Sequence, residues 1–248
     1  MSKKREKMKI TFFKNENHFS ARTSYCWENA ELAEPKIKSN IIRVISIVIS
    51  FIMLFAYVLT FRNELSTNIW LFVTIVILLL PIHEFCHALF CLITKRRIER
   101  ICFLSSFSLN EPIAYVLPKF TYWSKIERIL FYLFPTIILS VLPTIIAIFL
   151  PLARFWLIFI ALYNLLCSAF DITNTIKTIS LPKRSIIFEG FSLIPTNNQP
   201  IIIHKLVLTK EKTEILHEQF VYENKKLSKC DIATETENVK QLKNEFMQ

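Results

Sequence analysis

The chain has 248 residues, 52% of them hydrophobic, and a formal net charge of +10. Its apolar residues fall in long runs separated by basic segments, which excludes an ordinary soluble globular protein and describes a polytopic membrane protein with polar ends. The positive charge lies in the segments that flank those runs, so it speaks for a membrane surface and not for nucleic acid.

Residues 1–40 are polar and basic, opening Met1-Ser2-Lys3-Lys4-Arg5. A signal peptide would place an apolar stretch directly after such a start. Here a long polar segment intervenes, so the expectation is a cytoplasmic arm, with Thr11-Phe12-Phe13 as a short strand or a surface anchor. The first span runs from Ile41 to Phe61, long enough to cross ~30 Å of hydrocarbon. The second runs from Ile69 to Thr94 and stops at Lys95-Arg96-Arg97-Ile98-Glu99-Arg100. Residues 101–118 read as two short strands, 101–109 and 113–117, around the turn Asn110-Glu111-Pro112. Tyr122 to Arg128 reads as an interfacial turn of helix, with Tyr122 and Trp123 at the headgroup level. The third span is Ile129 to Leu150 and the fourth Phe155 to Ile179. Beyond residue 181 the chain is polar. Ile186–Phe188 and Ile201–Leu208 are expected as strands, Thr209–Asn224 as a helix, and the last ~20 residues as loosely ordered.

The expected fold class is an all-α membrane protein: about four transmembrane helices, a short cytoplasmic β-hairpin and a small polar C-terminal region. The expected domains are an N-terminal arm over 1–40, a four-span membrane domain over 41–180 and a cytoplasmic tail over 181–248. The cysteines are Cys26, Cys86, Cys91, Cys102, Cys167 and Cys230, with no CxxC pair, so neither a disulfide framework nor a zinc ribbon is indicated. Lys and Arg number 10 in residues 1–43, 7 in 95–128 and 10 in 181–248, whereas the two other loops carry only Arg62 and Arg154. The positive-inside rule then puts both termini and the 95–128 segment in the cytoplasm of a multi-pass cell-membrane protein.

The second span carries Pro81-Ile82-His83-Glu84-Phe85-Cys86-His87. On a helix, His83 and His87 are i and i+4, share one face and can hold one metal ion. Zinc suits imidazole ligands, and Glu84 beside it can take a proton from water and pass it to a leaving amine. The alternative is a pair of core histidines with a stray glutamate. An acidic residue at mid-bilayer costs roughly 2.5–3.5 kcal/mol, so polar groups there usually have a task. Cys86 points away from the histidine face and is not counted as a ligand. Pro81, just before the site, bends the helix there or is an accommodated kink.

A catalytic zinc site usually has three protein ligands. Asp171 is the acidic residue inside the other spans; His204 and His217 lie in the tail and read as surface residues. Asn164, Ser168, Asp171 and Thr175 form one polar stripe on the fourth span, facing a water cavity or another helix. Depth agrees with Asp171 as third ligand. His87 lies about 12 Å from the cytoplasmic end of its span and Asp171 about 9 Å from the same side, at ~1.5 Å per residue.

With His83-Glu84-Phe85-Cys86-His87 in one membrane helix, and Asn164, Ser168 and Asp171 in a later one, the chain resembles the site-2-type intramembrane zinc metalloproteases. It more closely resembles the putative zincin peptidase family of bacterial multipass proteins. The resemblance covers about residues 69–180. It implies His83, His87 and Asp171 as zinc ligands and Glu84 as the base. The glycine that tends to flank the aspartate in such proteins is replaced here by Phe170 and Ile172.

The reading is a membrane-embedded zinc metalloendopeptidase acting on a membrane protein or peptide in or near the lipid bilayer. Asn164 or Ser168 would orient the substrate backbone or stabilise the oxyanion. The rivals are a non-catalytic zinc-binding membrane protein and a metal or proton transporter. The first and third spans carry almost no ionisable residues, which counts against transport.

Overall fold

The computed structural model describes residues 9–12, 23–35, 37, 39–63, 68–103, 114–119, 121–188, 191–196, 199–208, 215–224 and 226–230. The chain forms two compact units, Met1–Phe13 with Pro35–Leu181, and Lys14–Glu34 with Pro182–Gln248.

The first unit is mainly helical and also carries one three-stranded sheet. Helix α1 (Ser39–Thr60) and α2 (Ile69–Ile93) are unbroken, and α2 continues through Pro81. Helix α3 (Lys125–Thr136) runs through a π-turn (Ile137–Val141) into α4 (Leu142–Phe149). A 3-10 turn (Pro151–Ala153) leads to α5 (Arg154–Cys167) and then α6 (Ala169–Ser180). Among the described residues, three stretches are long and apolar enough to cross a membrane: Ile41–Thr60, Ile69–Ile93 and Lys125–Phe149. Pro151–Cys167 and Ala169–Ser180 make a fourth only as a pair bent by 58°. The expected fourth span is therefore broken at Ser168.

Helix α2 is inverted relative to a soluble helix. Trp70, Ile77, Phe85, Leu89, Leu92 and Ile93 are exposed, while His83, Glu84 and His87 are buried. Val44, Val48, Phe51 and Phe55 on α1 and Ile145, Ile148 and Phe149 on α4 add to the same exposed apolar surface. In water that much bare hydrocarbon would drive association; against lipid it costs nothing.

Strands β1 (Lys9–Phe12), β4 (Ile98–Phe103) and β5 (Tyr115–Pro118) form a sheet of order β1-β4-β5. Strand β4 pairs parallel to β1 and antiparallel to β5. Ile101 and Val116 pack with Ala88, so the sheet rests on the turn of α2 that carries His87. The expected turn at Asn110 lies outside the described residues.

Trp123 is fully buried. The Arg96 guanidinium lies 3.8 Å from the centroid of its ring and pairs with Glu127 at 3.1 Å. Glu127 also completes a capping box with Ser124 at the start of α3. Lys125 Nζ donates to the carbonyls of Ile179 and Leu181, 2.7 Å each, satisfying the end of α6. That tie sets α3 antiparallel against α6.

The second unit is β-structured. Strands β2 (Thr23–Glu28), β8 (Ile201–Leu208), β9 (Ile215–Glu223) and β10 (Lys226–Cys230) form a sheet of order β10-β9-β8-β2. Strands β3 (Ala30–Leu32), β6 (Ile186–Ile187) and β7 (Ser192–Pro195) form another of order β3-β7-β6. The all-α expectation is thus overturned by three sheets. Its cause is pairing between the two ends of the sequence, Cys26 opposite His204 and Glu31 opposite Ile194. Local pattern does not report such partners. The helix expected over Thr209–Asn224 is strand β9 over its described part, because β8 and β10 hold it on both sides. His204, expected at the surface, is buried against Glu28 at 3.3 Å; the side chain of His217 lies outside the described residues.

Candidate metal centre

His83 and His87 project from one face of α2, and their ring centroids are 5.1 Å apart. Helix α6 brings Asp171 to the same point. Asp171 Oδ2 lies 2.9 Å from His83 Nε2 and 3.2 Å from His87 Nε2. Ligand atoms of the three residues all fall within 4.8 Å of one another, and all three residues are buried. The bend at Ser168 makes this possible. It starts a new helix whose first turn contains Asp171, where the N-terminal dipole favours a carboxylate.

The far nitrogens of the imidazoles are engaged. His87 Nδ1 lies 3.0 Å from the main-chain oxygen of Phe131, and the two rings pack at 4.6 Å. A carbonyl only accepts, so Nδ1 carries a proton, and Nε2 is the nitrogen left to offer a lone pair to a cation. His83 Nδ1 lies 2.9 Å from Asn164 Oδ1, with the same consequence. Two imidazole Nε2 atoms and a carboxylate oxygen therefore face one point, an arrangement that could hold a cation. The donor set of two Nε2 and one carboxylate, each imidazole held from behind, fits zinc.

Glu84 is 4% exposed, and its Oε2 is buried without a hydrogen-bond partner. It adjoins His83 on α2, so a buried, uncommitted carboxylate oxygen stands beside the ligands. Asn164 and Ser168 are both fully buried, and Asn164 is turned to His83. Thr175, the last member of the expected stripe, is buried as well. Cys86 is buried, unpaired with any other cysteine, and outside the ligand group.

Two participants carry no signal in the sequence. Phe131 acts through its main chain, which no side chain advertises. Ser140 accepts from Asn164 Nδ2 at 2.9 Å, yet it stands in an apolar run that reads as featureless span.

Residues 76–186 match a family model described as "Putative zincin peptidase". The match contains every residue of the centre and supports a zincin-like metallopeptidase reading of that segment. No curated protein and no solved structure matches the chain.

Proposed function

We propose that this protein is a membrane-embedded zinc metallopeptidase that hydrolyses peptide bonds within or beside the bilayer. The observation that carries the reading is the convergence of His83 Nε2, His87 Nε2 and Asp171 Oδ2 next to the buried Glu84, whose Oε2 has no hydrogen-bond partner. Zinc held there supplies Lewis acidity, polarising a carbonyl and making a water acidic near neutral pH. His83, His87 and Asp171 would hold it. Glu84 would accept the proton of the attacking water and deliver it to the nitrogen of the leaving amine. The buried walls of α2, α3 and α6 would keep bulk water away from the reacting atoms.

The exposed apolar surface of α1, α2 and α4 supports seating in a bilayer, and the skew of Lys and Arg supports cytoplasmic termini in a multi-pass cell-membrane protein. The substrate would be a membrane protein or peptide presented in extended form. Strand β5, at one side of its sheet, would offer main-chain pairing to such a segment.

The test is Glu84→Gln in cells that co-express candidate single-span membrane proteins. Glutamine keeps size and polarity but cannot take the proton. It should keep zinc while proteolytic fragments fall by ~10²–10⁴-fold. An active Glu84→Gln protein would refute the mechanism. Zinc without cleavage in the wild type would leave a non-catalytic zinc-binding membrane protein.

A further inference from the structure

Ser140 is buried within the π-turn Ile137–Val141. Upstream of it, α3 turns Arg128, Phe131 and Pro135 inward, and downstream α4 turns Pro143 and Ala147 inward. From Pro135 to Ser140 is one wide turn. In a regular α-helix residue 140 would swing off this face; the extra residue of a π-turn keeps it there.

What Ser140 does at that position follows from hydrogen-bond polarity. Its Oγ donates to the carbonyl of Ala161 at 3.0 Å. A carbonyl cannot donate, so the hydroxyl proton is committed and the hydroxyl's lone pairs remain for Asn164 Nδ2 at 2.9 Å. Nδ2 is further surrounded by acceptors, Pro135 O and Ser168 Oγ, each at 3.4 Å. The amide is thereby oriented with its nitrogen toward Ser140 and its oxygen toward His83 Nδ1 at 2.9 Å. The relay Ala161 O, Ser140, Asn164, His83 runs in one direction and starts at a backbone oxygen. It gives His83 what Phe131 O gives His87 directly.

We propose that Ser140 and Asn164 are positioning residues of the metal centre. They act as a two-residue relay that fixes the Nδ1–H tautomer of His83 and aims its Nε2 at the ion. This rests on the zinc reading above. It gives Asn164 a role through His83 and not on the substrate: the side chain is 0% exposed, with its oxygen and nitrogen both engaged.

The experiment measures zinc affinity of the full chain in detergent by competition with a chelating dye, alongside thermal unfolding of the metal-free protein. Asn164→Leu removes the acceptor at similar volume and should weaken zinc binding ~10–100-fold, the usual effect of losing such a partner. Asn164→Asp keeps an oxygen facing His83 and should bind within a few-fold of wild type. A merely structural asparagine would lose as much to a buried aspartate as to leucine, so rescue by Asp is the signature. Ser140→Ala should weaken binding less than Asn164→Leu, because the amide keeps its oxygen but loses what orients it. Wild-type affinity in a folded Asn164→Leu protein would overturn the relay, as would equal losses in the Asp and Leu variants. If Asn164→Leu does not fold, weakened binding in Ser140→Ala with Asn164→Asp near wild type supports the relay, and any other pairing overturns it. A wild type that binds no zinc removes the functional reading and the relay together; a zinc-binding wild type with indifferent variants removes the relay alone.

Discussion

His87 Nδ1 donates to the main-chain oxygen of Phe131 at 3.0 Å, so one ligand of the centre is oriented by backbone. No substitution at position 131 deletes that acceptor. The position of α3 is therefore what holds His87, and α3 in turn is tied to the end of α6 by Lys125.

The purified protein should hold about one zinc per chain, as a single three-ligand site requires. His83→Ala, His87→Ala and Asp171→Ala should each lower occupancy measured by elemental analysis, since each removes one of the three donors. Full retention by Asp171→Ala would remove Asp171 from the donor set.

Trp123 is buried among Arg96, Arg128 and Phe131. Trp123→Ala should cost about 3–5 kcal/mol of stability, read from denaturant unfolding. Trp123→Phe should cost clearly less, because a ring remains beneath the Arg96 guanidinium. Equal losses would mean that the cation–ring stack contributes nothing beyond volume.

Burial pushes the Glu218 carboxyl up, but hydrogen bonds and charge from Lys229 and Lys205 outweigh it and hold the group below its ordinary value. A carboxyl lowered on folding adds stability above its unfolded pKa of about 4.3, and that stability is lost as pH falls through the folded value. The wild type should therefore lose stability on acidification more steeply than Glu218→Gln. The side chains are partly exposed, so the difference should be small and shrink with added salt. Denaturation midpoints at neutral pH and near pH 4 check this; parallel pH dependences would dismiss it.

Reporter fusions at residues 63 and 183 should face opposite sides of the membrane, with 183 cytoplasmic. Three spanning stretches separate these positions if the bent pair α5–α6 crosses as one. Reporters on the same side would make that pair a re-entrant loop.

The sequence alone determined the apolar runs, the charge skew between loops and the His83-Glu84-His87 face, because each is a local property. An i, i+4 pair on a helix shares a face whatever surrounds it. Asp171 was also legible, as an ionisable residue standing in apolar surroundings. Only the tertiary structure decided that the fourth span breaks at Ser168, that a π-turn brings Ser140 to Asn164, and that Phe131 serves His87 through its backbone. It alone paired β2 with β8 and β3 with β7 across most of the chain. A strand's partner and a carbonyl's donor are chosen by distant segments, and a bend in a helix is stabilised by the groups packed against it. None of these leaves a periodic trace in the residues that take part.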